Sequence, residues 1–229
     1  MPRKAAQNFS HLLHATMAME AEPESFKMGL ALDLVRAVQA RKLPPAVMGT
    51  ASRQSTNAGE IYFTIDLEDP TQGREIAHLL ASFLKENHPA FVNASPPIFA
   101  EVSGIRETPR WSGDYLLTET DLVEGHSFPD TVARAAWPIE LRETTKGPRL
   151  KYFKNLRSLE IPLRALMTSK IPGVFFAGRC LSATHVALAS VRVMGTCFAT
   201  GQAAGIAASM HARNITPTSG LIVGQIKHL

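Results

Sequence analysis

Ile171-Pro172-Gly173-Val174-Phe175-Phe176-Ala177-Gly178-Arg179-Cys180 reads as a turn, an apolar strand and a glycine at the strand's end. Pro172 and Gly173 supply the turn, and the apolar residues that follow predict a buried strand over 173–178. Gly178 has no side chain, so the backbone there can come very close to a neighbour. Ligands of open α/β sheets bind beyond strand ends, which makes the 178–179 corner a candidate contact; ordinary sheet packing is the alternative.

The segment downstream sharpens the reading. A long helix is predicted over 191–213, and its sequence includes Gly195, Thr196, Ala199, Gly201, Ala203, Ala204, Gly205, Ala207 and Ala208. A glycine in a helix interior costs about 1 kcal/mol relative to alanine, so three in one helix imply close approach of something to its backbone. For Gly201 and Gly205, tight packing against a strand or helix would also serve. Gly195 lies in the first turn, where unpaired N–H groups can meet a partly negative atom.

Upstream, Phe26, Leu30, Leu34 and Val38 recur at helical spacing within 25–43, and Pro44-Pro45 closes that pattern. Residues 46–65 look strand-like, with Ile61, Phe63 and Ile65 alternating. A second helix is expected over 71–87, with Ile76, Leu79, Leu80, Phe83 and Leu84 as its apolar stripe, and a strand over 98–105. From 106 to 162 the chain reads as loop-rich, with one short helix over 119–124. These elements give a mixed α/β (α+β) fold.

Several of these segments together resemble one family. Phe176-Ala177-Gly178-Arg179-Cys180-Leu181-Ser182-Ala183-Thr184-His185 continues through Ser190-Val191-Arg192-Val193-Met194-Gly195-Thr196-Cys197 to Gly201-Gln202-Ala203-Ala204-Gly205. This resembles the C-terminal signature of the FAD-dependent oxidoreductases related to the flavoprotein subunit of heterodisulfide reductase. Gly104-Ile105-Arg106-Glu107-Thr108-Pro109-Arg110 with Gly113-Asp114-Tyr115, then Phe128-Pro129-Asp130 with Trp137-Pro138-Ile139, then Ile161-Pro162-Leu163-Arg164 resemble earlier blocks of the same family in the same order.

The resemblance implies FAD as cofactor and a Rossmann-like FAD/NAD(P)-binding domain into which a substrate domain is inserted. Carried over, residues 1–58 would be a helical connecting segment, 59–165 the substrate domain, and 166–229 the closing strand and helix of the FAD domain. Gly178 and Arg179 would meet the ribityl and pyrophosphate part, and Met194, Gly195 and Thr196 the isoalloxazine. Arg192, just before the long helix, would offset negative charge on the flavin or phosphate, with helix-end packing as its alternative. His185 would donate or accept a proton beside the ring, since imidazole titrates near neutral pH, with a structural histidine as the alternative. Arg106 and Arg110 would recognise an anionic or carbonyl group of a small-molecule substrate or stabilise charge on the flavin, or else pair with Glu107 or Asp114.

The family's glycine-rich dinucleotide motif, G-x-G-x-x-G opening a strand–helix unit, does not occur in this sequence. The Rossmann-like domain is therefore expected to be incomplete, the chain being either a truncated product or a split subunit whose partner chain supplies the nucleotide-binding half. Two functions stand at this point: a flavin-dependent oxidoreductase, or a non-catalytic interaction subunit that does not bind FAD by itself.

Bulk properties agree with either. The chain has 229 residues, 45% hydrophobic and 19% charged, as for ordinary globular proteins. A formal charge of +4, with the signs interleaved, gives no nucleic-acid footprint. Cys180 and Cys197 are too few to hold an iron–sulfur cluster, and their apolar or small-residue surroundings make them read as buried thiols rather than a disulfide framework. No apolar run is long enough to span a membrane, and 1–20 lacks a secretory pattern, so a cytoplasmic location is expected.

Overall fold

The alternation of apolar residues along 60–67 organises one of two compact units. The computed structural model describes residues 11–18 and 24–228, apart from 56, 58, 68, 102–103, 143–147 and 154–157. The first unit covers Gln7–Arg106 with Arg142–Pro148. It contains β1 (His11–Ala18), α1 (Glu24–Gln39), β2 (Thr50–Gln54), β3 (Glu60–Leu67), α2 (Gly73–Asn87), β4 (Ile98–Phe99) and β5 (Gly104–Ile105).

The strands form an antiparallel sheet in the order β2-β3-β1-β4, with β5 also beside β1. Along β3, Ile61, Phe63 and Ile65 point into the core and Tyr62 points out. The core is completed by Leu30 and Leu34 of α1 and by Ile76, Leu80 and Leu84 of α2. Leu79, expected in that stripe, is instead exposed, because the buried positions Ile76, Ala77, Leu80, Ala81 and Leu84 already fill the face.

Helix α1 stops short of the expected Leu43. Arg41 takes φ 56°, and the N–H groups of Arg41 and Lys42 donate to the carbonyls of Val38 and Ala37, a Schellman closure. The single strand-like stretch 46–65 is a hairpin of β2 and β3, so the segment 1–58 and the start of 59–165 share one sheet. Of the strand expected over 98–105, β4 and β5 are present, and Val102 lies outside the described residues.

The second unit covers Glu107–Leu141 with Arg149–Leu229. It holds α3 (Glu119–Glu124), β6 (Thr131–Ala135), β7 (Ile139–Leu141), β8 (Arg149–Lys151), β9 (Leu159–Pro162), α4 (His185–Val191), α5 (Met194–Ala212) and α6 (Ser219–Ile226). Two antiparallel pairs, β6 with β9 and β7 with β8, occupy the stretch expected to be loop. The core joins Leu117, Val132, Ile139, Ile161, Leu166, Leu181, Leu188 and Val191 to the underside of α5 through Ala203, Ala207 and Met210.

Two expectations are corrected here. Residues 173–178 are not a strand: Phe175 makes one isolated bridge to Met167, and Gly173 (φ 81°) and Gly178 (φ 57°) break the extended conformation at both ends. The predicted helix 191–213 is split, since Arg192 ends α4 and the extended backbone of Val193 caps the start of α5. Among the described residues, no helix is long and apolar enough to cross a membrane.

Candidate functional site

Helix α5 is divided along its length by its small residues. Thr196, Thr200, Ala203, Ala207 and Met210 are buried, whereas Met194, Gly195, Phe198, Gly201, Gln202, Gly205 and Ala208 face outward. Met194 is 75% exposed and Phe198 71%, so the helix opens on a bare apolar surface. A Cβ built on Gly195, Gly201 or Gly205 meets no atom of the described residues within 4 Å outside the helix's own backbone. Packing among the described residues therefore does not account for these three glycines. The first amides of α5, at Met194, Gly195 and Thr196, have no acceptor inside an α-helix, and they carry its partial positive charge.

Gly178 is used differently. Its N–H donates to the Thr200 hydroxyl at 3.1 Å, and that hydroxyl lies 2.9 Å from the Thr196 carbonyl it donates to. A Cβ on Gly178 would stand 3.3 Å from the Cys197 sulfur. Its close backbone approach is thus to α5 itself, in a left-handed conformation that favours glycine. Arg179 beside it is exposed. Burial pushes the Cys197 thiol up, and the Arg179 charge only partly offsets this, so Cys197 is no activated thiolate. Both cysteines are free thiols, half-buried rather than buried as expected.

A second cluster lies where the segment following Arg106 runs beside 180–184. Trp111 N–H donates to Cys180 O, Leu117 N–H to Ser182 O and Thr184 N–H to Leu117 O. Thr184 then caps α4 by accepting from the Ala187 amide at 3.2 Å, which places His185 as the first residue of that helix. Glu107, 3% exposed, receives Arg110 on Oε1, and its Oε2 lies 2.7 Å from His185 Nδ1. Arg110 Nε donates to Ala183 O at 3.0 Å. Burial raises the Glu107 pKa, but the hydrogen bonds and charges of His185 and Arg110 outweigh it and hold the carboxyl below its ordinary value.

Of the three residues read as catalytic, the structure brings Arg110 and His185 to one carboxylate. Arg106 belongs to the first unit, where it pairs with the buried Asp66, which Arg142 also contacts. Arg192 donates to the Glu140 carbonyl at 3.0 Å and closes α4. Trp111 stacks on Phe176 with ring centres 6.2 Å apart. Sequence reading treated Glu107 only as an ion-pair partner. The signal for more was its setting, a carboxylate between Arg106 and Arg110 in a chain with a histidine in the other matching block.

These positions suit one edge of a flavin: an open, glycine-bordered helix start bearing partial positive charge, with an exposed cation at Arg179. They offer no glycine-rich cradle for a pyrophosphate. Comparisons with curated proteins and with solved structures find no match. The family model for FAD dependent oxidoreductases matches residues 3–228, and the chain belongs to that family.

Proposed function

We propose that this chain forms the C-terminal side of an FAD site like that of the heterodisulfide reductase flavoprotein relatives, in an incomplete Rossmann-like domain. The amides of Met194, Gly195 and Thr196 would face the isoalloxazine edge, Arg179 the phosphate side, and His185 with Arg110 the substrate side. Gly178 would act by seating Arg179 against α5 rather than by touching the cofactor. Arg192 would fix the α4–α5 corner, and Arg106 would hold the first unit's Asp66. A second polypeptide segment, not included in this sequence, would bring the glycine-rich half and cover the outward face of α5.

When bound, FAD supplies the two-electron chemistry through which a small organic substrate is oxidised or reduced. The chain's own work is to stabilise developing negative charge with the helix amides and to move a proton at His185. One observation carries this reading: Gly195 stands exposed at the helix opening with open space where a side chain would be.

The test is equilibrium dialysis of the full chain against FAD, alone and with a candidate nucleotide-binding partner. Binding that Gly195→Val removes, while its circular dichroism is unchanged, supports the proposal. Failure to bind FAD in either setting overturns it and leaves the second reading, a non-catalytic interaction subunit. The missing glycine motif and the exposed Met194 and Phe198 favour that alternative.

A further inference from the structure

Glu107 is a buried acid whose two oxygens are divided between two partners, Arg110 on Oε1 and His185 on Oε2. Arg110 is held from its other side by the Ala183 carbonyl. His185 is held by its place at the start of α4, where the Thr184 cap fixes the backbone. The ring is therefore oriented from its own helix and from a carboxylate 78 residues away in sequence.

The Glu107 contact decides which atom of a neutral His185 ring carries the proton. A carboxylate braced by a guanidinium is an acceptor only, so the imidazole nitrogen 2.7 Å from it must carry the proton. In a neutral imidazole the other nitrogen then lacks one. About a third of the His185 side chain stays exposed (31%) although its Nδ1 edge meets a buried group.

We propose that Glu107, braced by Arg110, is a positioning residue that holds neutral His185 as its Nδ1–H tautomer and so makes Nε2 the proton-accepting atom of that side chain. The assignment of a tautomer stands on this geometry. Its consequence for turnover rests on the reading of His185 as the group that moves a proton in the proposed FAD site. A carboxylate fixing the tautomer of a catalytic imidazole is an established device in other enzymes.

The test is a two-bond proton–nitrogen correlation spectrum of the full chain carrying nitrogen-15 histidine, recorded where the ring is neutral. His185 is assigned by its loss in His185→Gln. Wild type is expected to show a protonated Nδ1 and an unprotonated Nε2. In Glu107→Gln, Arg110 still needs an acceptor and takes the amide oxygen. The amide NH2 then faces His185 Nδ1, which must accept, and the tautomer is expected to switch to Nε2–H.

A wild-type His185 protonated on Nε2, or an even mixture, overturns the proposal. So does an unchanged tautomer in a folded Glu107→Gln variant. Should that variant not fold, the wild-type spectrum still decides. FAD dialysis of the same samples reports on the proposed function independently of the tautomer, so either can fail without the other.

Discussion

Replacing Gly201 and Gly205 together by alanine should strengthen this chain and weaken whatever sits on α5. Both lie in the interior of the helix, where glycine is about 1 kcal/mol worse than alanine. Neither new Cβ would meet an atom of the described residues within 4 Å outside the helix's own backbone, so no clash among them subtracts from that gain. The double variant should therefore stabilise α5 by about 2 kcal/mol. Gly178→Ala is the contrasting case. It forces alanine to φ 57° and places a methyl 3.3 Å from the Cys197 sulfur, so it should lose about 1–2 kcal/mol. Because the chain has two compact units, one global unfolding energy is not the right readout. Amide hydrogen exchange along 194–212 is, with urea melts by circular dichroism as support. The same two methyls should lower the affinity of FAD or of a covering chain. A destabilised double variant would mean that atoms of this chain occupy the face taken here as open, and the case for a ligand or partner on α5 would go with it.

Three further outcomes follow. Asp66→Asn removes the charge that Arg106 and Arg142 share at a buried position, and should cost the first unit about 3 kcal/mol or more, seen as a lower urea midpoint for its α1 and α2 amides. Gly113→Ala would put a Cβ 2.7 Å from the Arg164 carbonyl and 2.9 Å from that of Met167; backbone cannot move aside as a side chain can, so a loss of about 1–3 kcal/mol is expected in thermal melts. Burial, together with the hydrogen bond to Asp121 and its charge, pushes the Tyr115 phenol up to about 12. Its folded pKa exceeds the unfolded value of 10.0, so its stabilisation is complete below pH 10 and is lost as pH rises towards 12; absorbance of phenolate at alkaline pH should show one late-titrating tyrosine, and none titrating late would contradict the burial.

What the sequence showed in advance was mainly local. The short helix over 119–124 is set by its own termini: Thr118 and Asp121 form a capping box, and Gly125 closes the end at φ 67°. The alternation in 60–67 and the 76/80/84 spacing also survive, because one face of each element is buried in a single core. The apolar run 174–177 misled because it signals burial, and strand pairing needs a neighbouring backbone, which it meets only at Phe175. The break between α4 and α5 has no proline or glycine to announce it; it lies in the extended conformation of Val193. The Glu107–His185 and Asp66–Arg142 contacts join residues 78 and 76 positions apart, and no local pattern encodes such pairings.

Glycine was the residue on which the functional reading turned, and its neighbours divide the cases. Gly113, Gly173 and Gly178 are explained from within: Gly113 by backbone crowding, Gly173 and Gly178 by left-handed backbone and close side-chain contacts. Each would be required whatever the protein did. Gly195, Gly201 and Gly205 have helical neighbours on one side and no atoms of the described residues within 4 Å on the other, so for these residues alone alanine would serve better at the two interior positions. The glycines of α5 lie along its outward stripe, with Met194 and Phe198 exposed beside them, which leaves room for the flavin edge or covering segment proposed above. That is why the proposed flavin edge rests on α5 and not on Gly178, the glycine that the sequence alone brought forward first.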